Sequence, residues 1–279
     1  MIIWHAIVLG LLQGLTEFFP VSSSGHLIIV PWMADWDDFA GDNSLKTGFD
    51  VALHLGTLVG ALTYFRRDVK LYTTAGLKIL KKTPTSSPRE RDENTKIAWL
   101  IVASAIPIGI VGAALSSVRD SWNDEIWLVA TMLIAFGALL WLADMKSTTS
   151  NSFNQNSATA MGLAQMLALV PGVSRSGITI TAGRLSGLGR IEATRFAFLM
   201  GLPVVLGAGI YKFYDIGGWS GIPDNYRAGF IWGAATAAAS SWLAICALMK
   251  LVRRWTFAPY VAERTLLGIV ALILLATTS

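Results

Sequence analysis

Residues 10–26, GLLQGLTEFFPVSSSGH, and 162–178, GLAQMLALVPGVSRSGI, put one polar, Gly- and Ser-rich cassette twice into a chain that is otherwise strongly apolar. At an offset of 152, Gly10, Leu11, Gln13, Leu15, Val21, Ser22, Ser24 and Gly25 meet Gly162, Leu163, Gln165, Leu167, Val173, Ser174, Ser176 and Gly177. A weaker echo at an offset of 147 pairs Phe49, Gly60, Ala61, Tyr64 and Asp68 with Phe196, Gly207, Ala208, Tyr211 and Asp215. The segments 2–33 and 159–190 around the cassettes are too short for two membrane crossings at about 20 residues each. Each is expected to be a re-entrant helical hairpin. Lipid cannot satisfy irregular backbone at membrane depth, so the two tips should be buried in protein, meet near the midplane and form a site.

A membrane is required because 53% of the residues are apolar and only 14% charged, outside the range of soluble globules of this size. Ile97–Val118, Ile126–Ala143 and Ala228–Met249 carry no charge and are long enough to cross the hydrocarbon core. Phe49–Phe65, Phe196–Tyr211 and Thr265–Thr278 are weaker candidates. The expected fold is an all-α polytopic membrane protein with six transmembrane helices and two re-entrant hairpins in an inverted repeat. It forms a single domain over 1–279, with halves 1–146 and 159–279 joined by the polar linker Ser147–Ser157.

Nine Lys or Arg against four Asp or Glu in Arg66–Lys96 place that segment in the cytoplasm by the positive-inside rule, together with Lys250, Arg253 and Arg254. Arg184, Arg190 and Arg195 fit the same rule. Asp35, Asp37, Asp38 and Asp42, and the group Asp120, Asp124 and Glu125, mark external segments. The excess positive charge is thus a topology signal and does not point to nucleic acid. Residues 83–93 read as a solvated cytoplasmic loop. The first basic residue is Lys46, so the apolar N-terminus reads as mature structure and not as a signal peptide. Cys246, the one cysteine, has no intramolecular partner.

The cassettes differ where chemistry would need them to: Glu17 faces Leu169, Ser23 faces Arg175 and His26 faces Ile178. Gln13 and Glu17, four apart, share a helix face. A carboxylate in hydrocarbon costs several kcal/mol unless it meets a cavity, a metal or a base. Pro20 ends one helix, and Ser22, Ser23, Ser24 and Gly25 begin another, whose unpaired N–H groups suit phosphate oxygens. Pro171 and Gly172 make the second break. Ser174, Arg175 and Ser176 open the next helix, with Thr179 one turn on, and Arg175 adds a guanidinium fork suited to phosphoryl oxygens. A diphosphate fits such a site. His5 and His54 lack comparable neighbours in sequence and read as structural.

The strings Gln13 to His26 and Pro171 to Thr179 resemble the two signatures of the undecaprenyl-diphosphate phosphatases of the bacitracin-resistance type, and FDVALHLGTL at 49–58 is similar too. That resemblance implies removal of the terminal phosphate from undecaprenyl diphosphate, recycling the lipid carrier of cell-wall precursors. It implies Glu17, His26 and Arg175 as catalytic residues, a phosphate site lined by Ser22, Ser23, Ser174, Ser176 and Thr179, and a divalent cation, magnesium or calcium. Gln13 takes the neutral option at its position, which argues against a mechanism needing two carboxylates there. The acid-phosphatase-like lipid phosphatases need a second histidine after an S-R motif, and no histidine follows His54.

The expected chemistry has Arg175 and both helix starts holding the diphosphate, Glu17 sharing a cation, and Ser23 or water attacking with His26 as base. The expected partners are a polyprenyl diphosphate and membrane lipids, with room for a homodimer and for lipid flipping. The site is expected to open to the external face of the plasma (inner) membrane. The rival class is a secondary transporter, which shares this architecture but needs no acid–base pair beside Arg175. Topology is directly testable: in a chain lacking Cys246, Ser86→Cys should react with an impermeant thiol reagent only from the cytoplasmic side. Reaction only from outside overturns the assignment.

Overall fold

The computed structural model describes residues 1–39, 41–77, 88–115, 122, 125–146 and 152–278, and every regular element in it is helical. Helices α1 (Ile3–Phe18) and α2 (Ser23–Met33) form the first hairpin. Its base is closed where Asp38 accepts from the Ile2 amide and pairs with His5, which stacks on Trp36. Helices α3 (Asn43–Tyr64) and α4 (Arg66–Leu77) meet at 86°. Helices α5 (Pro88–Ala103) and α6 (Ala105–Ala114) are joined through Ser104, and α7 (Ile126–Lys146) follows. Helix α8 (Gln155–Ala164), a 3-10 turn (Gln165–Leu169) and α9 (Arg175–Leu185) form the second hairpin, in which Gly183 abuts Met161. Helices α10 (Arg190–Asp215), α11 (Asp224–Leu251) and α12 (Ala258–Thr278) complete the chain.

Among the described residues five helical stretches are long and apolar enough to cross a membrane: Glu93–Ala114, Ile126–Lys146, Arg190–Asp215, Asp224–Leu251 and Ala258–Thr277. The bent pair α3 and α4 makes a sixth if it is counted as one span. The protein is therefore of the multi-pass membrane class. At 16 and 11 residues, α1 and α2 reach about 24 and 17 Å at 1.5 Å per residue, short of the roughly 30 Å core.

Several boundaries differ from the sequence reading. The residues from Pro88 onward belong to α5 and not to a loop, with proline at the first helical position, where its missing N–H costs nothing. The C-terminal part of the polar linker is an N-cap, since Asn154 and Ser157 form a reciprocal capping box that starts α8. Helix α12 begins at Ala258, well before Thr265, so Glu263 and Arg264 lie within it. Residues 83–87, 116–118 and 147–151 of the expected loop, span and linker, with Ser86, Asp120 and Asp124, lie outside the described residues.

Arg184, Arg190 and Arg195 do more than set topology. Arg184 Nε donates to Asp144 Oδ1 at 3.1 Å and Arg190 Nε to the same oxygen at 2.7 Å, while Asp144 Oδ2 accepts from the Phe257 amide. Asp144 and Arg184 are buried. One carboxylate thus ties the end of α7 to α9, α10 and the start of α12. Arg195 pairs with Asp68 across the bend after α3.

Helix α11 is the scaffold for the first hairpin. Its small residues Gly233, Ala234, Ala237, Ala238, Ser240 and Ser241 let α1 and α3 approach to backbone distance, as small residues do where no hydrophobic force drives helices together. A Cβ on Gly10 would lie 2.1 Å from Thr236 Oγ1, on Gly14 1.9 Å from Ser240 Oγ, and on Gly60 2.0 Å from Ser241 Oγ. Ser240 Oγ also donates across to the Gly10 carbonyl at 3.3 Å. Gly14→Ala should therefore cost about 1–3 kcal/mol through overpacking. Thermal unfolding in detergent reads this out, and an unchanged Tm would mean that α1 does not rest on α11 as described.

Candidate active site

The two tips share one backbone solution. Ser22 and Ser174 have φ of 80° and 74°, a region that non-glycine residues seldom occupy. Each caps the helix it precedes: Ser22 Oγ accepts from the Gly25 amide at 3.3 Å and Ser174 Oγ from the Gly177 amide at 3.1 Å. Each Oγ also lies 3.3 Å from the hydroxyl two residues on, Ser24 or Ser176. The remaining first-turn amides of α2 and α9 have no acceptor within their helix, which gives each tip an anion-binding character.

Glu17, at the end of α1, joins the two tips. It is buried, and its Oε1 accepts from Arg175 Nη2 of the second tip at 2.7 Å. Oε2 accepts from Ser23 Oγ at 2.7 Å and from Gln13 Nε2 at 3.2 Å, and it lies 3.5 Å from His54 Nε2. The guanidinium has its own recess, because a Cβ on Gly201 of α10 would lie 1.5 Å from Arg175 Nη1. Among the described residues Nη1 has no hydrogen-bond partner, nor has the buried Oε1 of Gln13. A donor and an acceptor therefore stand ready beside the buried pair. Below it, Phe18 and Phe65 pack edge-on against Phe198.

His26, one turn into α2, is held away from Ser23. Its Nδ1 is 2.8 Å from the Ser22 carbonyl oxygen and its Nε2 is 2.8 Å from Glu263 Oε1 of α12. The next residue of α12, Arg264, is fully buried and reaches both breaks. Its Nη1 donates to the Pro20 carbonyl at 3.3 Å, and its Nη2 donates to the Gly172 and Val173 carbonyls at 2.7 and 3.1 Å. Gly137 and Gly177 leave space for this side chain.

Among the expected site residues, Gln13, Glu17, Ser23 and Arg175 form one network. Ser22, Ser24, Gly25 and Ser174 shape the tips. Ser176 Oγ donates to the Phe19 carbonyl at 3.3 Å and stitches the second tip to the first, while Thr179 Oγ1 donates to the Arg175 carbonyl within α9. His54, read from sequence as structural, stands beside Glu17. Glu263 and Arg264 were absent from the sequence reading. Their signal was a pair of opposite charges at the edge of an apolar run, the ordinary pattern of a helix end at a membrane surface.

The family model described as bacitracin resistance protein BacA matches residues 6–270. The chain is 41% identical to the undecaprenyl-diphosphatase of Geobacter sulfurreducens, over 95% of this chain and 96% of the relative. It is 40% identical to the undecaprenyl-diphosphatase of Gemmatimonas aurantiaca over 99% of both chains, and 37% identical to that of Thermomicrobium roseum over 98% of both. A match through both cassettes and at this coverage makes the chain a member of the BacA family.

Proposed function

We propose that this chain is a membrane-embedded hydrolase that removes the terminal phosphate of undecaprenyl diphosphate and returns undecaprenyl phosphate to cell-wall synthesis. One observation carries the reading: Ser23 donates its hydroxyl proton to a buried carboxylate that is itself paired with Arg175 of the other cassette. A carrier of intact anions has no use for a hydroxyl poised in this way. The opening to the external face of the plasma membrane is supported by the lack of Lys and Arg in residues 1–45, against nine of them in Arg66–Lys96.

In this reading the diphosphate lies between the starts of α2 and α9, with Arg175 Nη1 donating to the terminal phosphoryl group. Ser23 Oγ attacks the terminal phosphorus. Its proton passes to Glu17, and the bond to the bridging oxygen breaks with its electron pair on the departing lipid monophosphate. Water then attacks the phosphoserine, inorganic phosphate leaves, and Ser23 recovers its proton. In this reading Glu17 accepts the serine proton, since Ser23 Oγ already donates to its Oε2, while the two nitrogens of His26 lie beside the Ser22 carbonyl oxygen and Glu263.

No group of three or more His, Cys, Asp or Glu side chains among the described residues is arranged to hold a metal ion by itself. The donor set fits a cation shared with substrate: the unpartnered Oε1 of Gln13 beside the Glu17 carboxylate offers oxygens to a magnesium or calcium ion whose other ligands are phosphate and water. Bound there, the ion would neutralise charge on the diphosphate.

Arg175→Ala should lower kcat for phosphate release from a C55 diphosphate by about 10²- to 10³-fold. Arg175→Lys should restore only a small part, since it keeps the charge and loses the fork. Steady-state kinetics showing near-native turnover in Arg175→Ala would defeat this site. Ser23→Ala and Glu17→Gln should each abolish trapping of a phosphorylated enzyme as well as turnover. Substantial turnover by Ser23→Ala with no trapped species in the native enzyme would replace the covalent route by direct attack of water.

A further inference from the structure

We infer that Glu263 is a positioning residue that holds a proton on His26 Nε2, so that His26 serves the phosphatase site as a proton-bearing group and not as a base. The inference rests on the reading of the chain as a phosphatase, but its geometry is independent of Glu17, Ser23 and Arg175.

The argument is one of donors and acceptors. His26 Nδ1 lies 2.8 Å from the Ser22 carbonyl oxygen, which can only accept, so Nδ1 carries a hydrogen. A neutral ring with Nδ1–H has a bare lone pair on Nε2. That lone pair would face an oxygen of Glu263 only 2.8 Å away, and two lone pairs repel unless a proton lies between them. The pair therefore shares a proton, which we assign to Nε2, so that an imidazolium faces the Glu263 carboxylate. With a hydrogen on both ring nitrogens, neither is free to take the Ser23 proton, in keeping with the donation of Ser23 to Glu17.

The fold fixes the arrangement from both sides. His26 is buried in the first turn of α2, and its Nδ1 bond to the carbonyl four residues back sets the ring plane. Glu263 reaches it from α12, 237 positions away in sequence, and Arg264 beside it anchors α12 to both hairpin breaks. The Glu263 side chain is 45% exposed against 8% for His26, so the proton sits at the edge of the buried tip. A proton-bearing imidazole there can supply a proton to the departing lipid phosphate or to the product.

Glu263→Gln changes the proton inventory with little change of shape. The amide N–H can donate to Nε2, which then carries the lone pair, and the ring becomes neutral. Against a C55 diphosphate, Glu263→Gln should lower kcat by about 10-fold or more with KM within about twofold, because acid–base groups act on the chemical step. Glu263→Asp, which keeps the carboxylate, should recover part of that loss. In a His26→Ala background, Glu263→Gln should have no further effect. The chain has three histidines, so 15N NMR can resolve His26 by its loss in His26→Ala. Nε2 should be protonated in the native protein and unprotonated in Glu263→Gln. Native kcat in Glu263→Gln, an equal loss with and without His26, or an unprotonated native Nε2 would each overturn the inference. An inactive native protein would instead defeat the phosphatase reading, leaving the NMR result to judge the proton placement alone.

Discussion

A helix that breaks in a protein interior leaves carbonyl groups without partners in their own helix, and this protein brings two such breaks to the same place. Arg264 meets that constraint. One fully buried guanidinium from α12 donates to the carbonyls of Pro20 on one side and of Gly172 and Val173 on the other. Leaving such groups bare would cost several kcal/mol apiece. The same bonds fix the separation of the two tips, on which the meeting of Glu17 with Arg175 depends. Loss of a single side chain distant in sequence from both cassettes would therefore loosen the backbone of each.

The duplicated cassettes divide structure from chemistry. What they hold in common is backbone: a left-handed serine, its hydroxyl turned back onto the third amide, and a second serine beside it. What differs is what each offers a ligand. The first tip carries the carboxylate, the hydroxyl and the imidazole, and the second carries the guanidinium. A lone copy would have either an acid–base set with no cation to draw in a polyanion, or the cation with nothing to act on it. The Glu17–Arg175 pair is where the two halves of that function touch.

Much of this was legible in the sequence, for reasons particular to the residues. Pro20 and Pro171–Gly172 announce the breaks because proline and glycine end helices whatever the surroundings. Glu17 stands out because a carboxylate among Leu15, Phe18 and Phe19 has no cheap explanation. His54, Glu263 and Arg264 were not legible. His54 sits in a run whose polar residues are spaced like an ordinary helix face, and its proximity to Glu17 exists only once α3 packs beside α1. Glu263 and Arg264 have only the pattern of charges at the edge of an apolar run, and local sequence does not reveal that α12 begins a turn and a half before them. Arg184 and Arg190 show a related ambiguity: the positive-inside rule accounts for them, so their pairing with Asp144 leaves no separate trace.

The small-residue face of α11 has a consequence for how the chain is made. Gly14 and Gly60, which rest on that face, emerge from the ribosome long before Ser240 and Ser241. Gly60 precedes Ser241 by 181 residues, which at about 5–20 residues per second is a wait of roughly 9–36 s. Arg175 also comes 158 positions after Glu17. Through that interval the first hairpin has its packing surface open and its carboxylate without its arginine. The early half of the protein is in this sense a client of the late half, and anything that slows translation between them lengthens the time for which a nascent chain must be guarded.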